Sequence, residues 1–191
     1  MKRIQTRAEF EKREMRNKRL IGIVIIALMT LSTAGYAFFS GDRVSTSQKI
    51  KYNNIDFLLQ DDGKWHFVLD NTEFATYFNP EEVKNITVKG NMALADYSSL
   101  PLYLHFENNN EIQNEILYNL DGIYLRANPF CFSNENCSWV EKSCYDDNLI
   151  ITKESSMSLI SKTNKCVYLY YNETEGLKVA DAFIFKLLKI T

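Results

Sequence analysis

Three of the four cysteines, Cys131, Cys137 and Cys144, fall within the stretch NPFCFSNENCSWVEKSC at 128–144, and the fourth, Cys166, follows after 21 residues. Thiols grouped in this way can hold a metal, run a redox cycle or pair as staples. Zinc sites usually close with pairs two to four residues apart, often joined by histidine, whereas the gaps here are five, six and twenty-one residues and the only histidines are His66 and His105. A thioredoxin-type centre needs C-x-x-C, which is absent. Four cysteines with none left over suit two disulfides, provided the chain segment leaves the reducing cytoplasm. Three connectivities are open, and the favoured one joins Cys131 to Cys137 and Cys144 to Cys166. The first pair closes a tight loop. Cys144 and Cys166 each precede an apolar run, so neighbouring parallel strands would bring both to one end of a sheet.

Whether the thiols oxidise depends on the N-terminus. LIGIVIIALMTLSTAGYAFF, residues 20–39, carries no charge, and twenty residues at about 1.5 Å per residue reach the ~30 Å of a bilayer core. Residues 1–19 hold eight Lys/Arg, among them Arg13, Arg16, Lys18 and Arg19. Positive charge stays cytoplasmic, which predicts a single-pass chain with its N-terminus inside and its C-terminal part outside. Residues 1–39 sum to +5 and residues 40–191 to −7, so the two parts face different surroundings. A cleaved signal peptide is the rival reading, with small residues at Gly35 and Ala37, and would leave a secreted soluble domain. Either way the rest of the chain is exported. The sequons at Asn85, Asn136 and Asn172 would then be open to glycosylation.

Other chemistry finds little support in the residue pattern. Neither a Gly-rich phosphate loop nor a G-x-S-x-G, H-E-x-x-H or D-x-D-x-D-G motif occurs, so no cofactor and no metal is expected and no catalytic residue is singled out. His66 and His105 lie in strand alternations and read as structural. Glu81 and Glu82 follow Asn79-Pro80 as helix-start residues, and Asp61-Asp62 and Asp146-Asp147 sit where turns are expected. Glu154 completes the list of carboxylates weighed for a cation. Eleven tyrosines and twelve phenylalanines would furnish an aromatic platform, though strands and small cores use the same residues. The −7 of the exported part repels phosphates and argues against nucleic acid.

The elements that must position these residues form an α+β class. Residues 40–48 read as a polar linker and residues 49–191 as one small extracytoplasmic domain. Ile55, Phe57 and Leu59 alternate, Asp61 to Lys64 turn, and Trp65 to Leu69 return as a hairpin, with a third strand near Glu73 to Phe78 to complete an antiparallel meander. Asn79 predicts a helix start, and Leu102 to Phe106 another strand. Ile112, Ile116 and Leu120 recur at helical spacing, the cysteine window reads as loop, and NLIIT at 148–152 and CVYLYY at 166–171 read as strands buried on both faces beneath helices. The chain closes on an amphipathic helix with Leu177, Ala180, Ile184 and Leu187 in one stripe.

The basic N-terminus, the single apolar span, FNPEEV, the spaced cysteines, DNLIIT, CVYLYY and ADAFIFKLLKI together resemble uncharacterised single-pass membrane-anchored proteins of archaeal genomes, over nearly the whole chain. The resemblance implies no activity and transfers no functional residue. The expectation is a membrane-anchored interaction or accessory module, held in the lipid bilayer by its N-terminal helix, with an envelope or membrane protein as partner. The alternative is an extracytoplasmic thiol-disulfide or hydrolytic enzyme using Cys131 and Cys137 or an acidic cleft.

Overall fold

The computed structural model describes residues 20–26, 28–30, 48–105, 110–133 and 137–191. The chain divides into two units, Met1–Ser45 and Thr46–Thr191. In the first, residues 20–26 and 28–30 are helical, and Leu20, Ile21, Ile23, Val24, Ile25, Ile26, Leu28 and Met29 are all exposed. Among the described residues no helix is long and apolar enough to cross a membrane. The basic segment 1–19 and much of the 20–39 span lie outside the described residues, as does most of the 40–48 linker.

The second unit is α+β and opens with the meander. Strands β1 (Lys49–Tyr52), β2 (Ile55–Leu59), β3 (Trp65–Leu69) and β4 (Thr72–Thr76) pair antiparallel in sequence order. Asn53-Asn54 and Asp70-Asn71 take φ values of 47°, 65°, 50° and 63°. Such paired left-handed residues make the two-residue hairpin turns whose twist matches the strands. The longer β2–β3 turn is held by Asp62 Oδ1, which accepts the Lys64 N–H at 2.9 Å, and by Gly63 at φ 77°. Alternation then puts Phe57, Trp65, Phe67 and Phe74 on one buried face.

A seven-stranded mixed sheet follows, built from β5 (Thr87–Lys89), β6 (Pro101–His105), β7 (Arg126–Cys131), β8 (Val140–Glu141), β9 (Leu149–Glu154), β10 (Leu159–Thr163) and β11 (Cys166–Tyr171). Its order is β5-β10-β11-β9-β6-β7-β8, parallel throughout except for the β10–β11 hairpin. Helix α1 (Asn110–Asn119) connects the parallel neighbours β6 and β7, as a crossover of that kind requires. Helix α2 (Gly176–Leu187) ends the fold.

Four sequence expectations need correction. Asn79 does cap, but only a turn: its Oδ1 accepts the N–H groups of Glu81 and Glu82, and Glu82 Oε2 accepts the Asn79 N–H at 2.8 Å. Residues 80–85 turn without propagating into a helix, because Thr87 must already enter β5. The cysteine window is not all loop, since Cys131 ends β7 and Val140–Glu141 adds an edge strand. Among the described residues, strands β9 and β11 have helices on one face only. Val167 and Leu169 join the main core, while Cys166 and Tyr168 face the other side with Tyr103, Phe130, Leu149 and Ile151.

The fourth concerns α2, which is buried almost all round, with Leu177 only half-buried. Its Phe185 ring lies 6.0 Å from Phe57 and 5.8 Å from Phe67 of the meander, and the same helix also packs on β10 and β11. A helix with a sheet on each side has little solvent face to make polar.

Candidate functional site

Chemistry in this fold concentrates where the meander meets the two helices. Ile112, Ile116 and Leu120 turn one face of α1 into the core, and that orientation carries Glu115 and Asn119 in beside them. Glu115 is 2 % exposed, and Asp181, in the middle of apolar α2, is fully buried. Lys64 reaches them from the β2–β3 turn. Its Nζ donates to Glu115 Oε2 at 2.7 Å and stands 4.3 Å from the centre of the Tyr77 ring and 5.0 Å from that of Tyr118.

Asn119 fastens the other side of the cluster. Its Nδ2 donates to Glu115 Oε1 at 3.0 Å and to the Ala75 carbonyl at 2.9 Å, and its Oδ1 accepts the Ala75 N–H at 3.0 Å. The carboxamide thus satisfies both backbone groups of Ala75 on the open edge of β4, as a further strand would. Asp181 Oδ2 accepts the Phe78 N–H at 2.8 Å, while its Oδ1 is buried and faces no donor. One polar cluster therefore ties β4, the hairpin tip and both helices together.

Electrostatics follow from this burial. Loss of water, reinforced by the Glu115 carboxylate alongside, raises the Asp181 pKa well above the usual range. Burial alone would lower the Lys64 pKa, but the hydrogen bond and charge of Glu115 outweigh it and hold the pKa above its ordinary value.

A pH dependence follows with a defined sign. A carboxyl whose folded pKa is raised contributes its full stability below the unfolded value, about 3.9, and loses it as pH rises through the folded value. Asp181→Asn keeps an oxygen for Phe78 and carries no charge at any pH, so it should be more stable than wild type at pH 8, with the gap narrowing toward pH 4. Asp181→Ala should cost about 1–3 kcal/mol by leaving the Phe78 N–H unsatisfied. Urea titrations of the three proteins across pH decide this, and identical wild-type and Asn profiles would contradict it.

The sequence-derived site residues fall elsewhere. All four cysteines are paired, Cys131 with Cys137 and Cys144 with Cys166, at Cα separations of 6.5 and 5.0 Å. Cys166 lies opposite Leu149 across parallel β11 and β9, so Cys144, a few residues before β9, arrives at the same sheet end. Asn85 is exposed on a turn, Asn172 lies in an Asx turn with Thr174 and donates to Glu175 at 2.9 Å, and Asn136 is outside the described residues.

His66 sits between Asp62 (2.9 Å) and Glu73 (3.1 Å), with both ring nitrogens engaged. Burial would lower its pKa, but those carboxylates outweigh it and hold the pKa above the usual value. His105, on the other sheet, places Nδ1 3.3 Å from the Phe130 carbonyl. Asp146 accepts from Ser143 and Asp147 pairs with Lys142, which is turn chemistry. Glu154 lines an open depression of about 630 Å³ with Ser155, Asn172, Glu173 and Thr174. Among the described residues no group of three His, Cys, Asp or Glu side chains is placed to hold a metal ion.

Sequence reasoning passed over Lys64, Glu115, Asn119 and Asp181 as site residues. One signal was available: Asp181 is the only acid between Gly176 and Thr191 in a run otherwise dominated by apolar residues. The site and fold define a disulfide-containing α+β domain in which a half-buried lysine meets two buried acids. No protein-family model, curated protein or solved structure matches the chain.

Proposed function

We propose that the chain is a membrane-tethered extracytoplasmic module, in which a disulfide-stapled α+β domain binds a protein partner of the envelope or membrane. The pairing of all four cysteines carries this reading, because structural disulfides persist outside the reducing cytoplasm. The tether is the segment 20–39. Its helical residues 20–26 and 28–30 expose apolar side chains at nearly every position, and a helix apolar all round needs lipid or protein about it.

The binding surface is the rim of the stapled region beside edge strand β8. Trp139 is 57 % exposed, Val140 49 % and Tyr145 77 %. Large aromatic residues held by covalent staples lose little conformational freedom on binding, which is the economy interface hot spots use. A thiol-disulfide enzyme stays as the second reading on one observation: Cys137 is exposed while its partner Cys131 is buried, so an incoming thiolate meets a single accessible sulfur.

Fractionation tests the proposal. The chain should stay with native membranes through alkaline extraction, and protease added to intact cells should reach the domain. Deleting residues 20–39 should abolish membrane retention. A chain that is soluble from the start, or shielded from protease in intact cells, would sink it.

A further inference from the structure

Lys64 ends in a partly open cage, one wall of which is fastened independently of it. The rings of Tyr77 and Tyr118 flank the ammonium group and Glu115 Oε2 accepts from it. Behind Glu115, Asp181 Oδ1 is fully buried and faces no donor. Asn119 holds the Glu115 carboxylate through Oε1 and is itself fastened to Ala75, so that wall does not depend on the cation.

We infer that this cage is a binding site for a primary alkylammonium group, with Lys64 as its resident occupant, and that an exogenous primary amine takes the same place once the Lys64 side chain is removed. Two π faces and a carboxylate recognise a compact cation carrying N–H donors. A quaternary ammonium satisfies the rings and leaves Glu115 Oε2 without a donor, so the site discriminates between the two. Because the occupant rides on the β2–β3 turn, filling the cage latches the meander onto α1 and α2. This inference is independent of where the domain resides.

The test uses the full-length chain with Lys64→Ala and, as probe, n-propylammonium chloride, which supplies the three carbons and the nitrogen that alanine lacks. Propylammonium should raise the melting temperature of the variant saturably, half-maximally at about 10 mM, and recover at least half of the loss. Tetramethylammonium and sodium chlorides at equal ionic strength should not, and the Lys64→Ala/Glu115→Gln double variant should not respond.

A response no larger than that to sodium, or an equal response in the double variant, overturns the inference. Should Lys64→Ala not fold, reductive methylation of the wild-type chain decides. Lys64 should label more slowly than exposed Lys51, because its ammonium is shielded between two rings and bonded to Glu115. Equal labelling rates overturn it.

Discussion

Phe185→Ala is expected to cost the domain about 3–5 kcal/mol, the range for truncating a fully buried phenylalanine. The ring is 0 % exposed. It meets Phe57 edge-on at 83° and Phe67 at 49°, while Phe67 in turn stacks on Phe74 at 5.3 Å. No other aromatic ring of α2 reaches this chain of meander rings among the described residues, since Phe183 faces Tyr97. Truncation opens a cavity between elements that β-pairing on one side and helix packing on the other prevent from collapsing. For a domain of this size the melting temperature should fall by roughly 10 °C or more. Urea unfolding of the variant measures it, with Phe185→Leu as the milder control. A loss under about 1 kcal/mol would mean that α2 is not clamped between the two sheets.

The second large effect concerns the longer staple. Replacing Cys144 and Cys166 together by alanine should cost about 3 kcal/mol in the chain-entropy description, given the 22-residue separation the bridge closes. The corresponding change at Cys131 and Cys137, six residues apart, should cost nearer 2 kcal/mol. Position reinforces the order. Cys166 is fully buried at the start of central strand β11, and the Tyr168 hydroxyl lies 3.6 Å from Cys144 Sγ. Cys137, by contrast, is exposed. Denaturant unfolding of the two double variants, without reductant, checks both size and order. If the Cys131–Cys137 variant proves the more damaged, the stapled rim and not the sheet end is what the bridges support.

Much of the local structure was legible because its signals are short-range. The β2–β3 hairpin follows from period-two alternation around Asp61-Asp62-Gly63-Lys64, α1 from Ile112, Ile116 and Leu120, and β9 and β11 from their apolar runs. The favoured cysteine pairing rested on parallel strands ending together, and β9 and β11 do run parallel. Long-range partners were not legible. Parallel pairing of Thr87 with Leu159 joins residues 72 apart through a three-residue strand, too short to show a period. Gly90 at φ 99°, whose Cβ would lie 2.8 Å from Lys162 Cβ, makes sense only once that neighbour is known.

The candidate site was hidden for the same reason. Lys64 reads as an ordinary turn residue, and nothing in the sequence separates Glu115 and Asn119 from the other polar residues of their helix. Only the α1–α2 packing and the edge of β4 turn Glu115 and Asn119 inward. Asp181 could be noticed as a charge in an apolar helix, yet its partner Phe78 lies 103 residues away and donates through backbone, which leaves no mark in the sequence.

The central claim is that the domain is an oxidised, exported structure held on a membrane. The direct measurement takes the chain from its native membranes, blocks free thiols at once, digests without reduction and maps the linked peptides by mass spectrometry. An exported stapled domain gives two linked pairs, Cys131 with Cys137 and Cys144 with Cys166, no alkylated cysteine, and peptides from residues 20–39 still in the chain. Alkylated or mixed-disulfide cysteines would contradict it, and a mature N-terminus near Phe38 would remove the anchor.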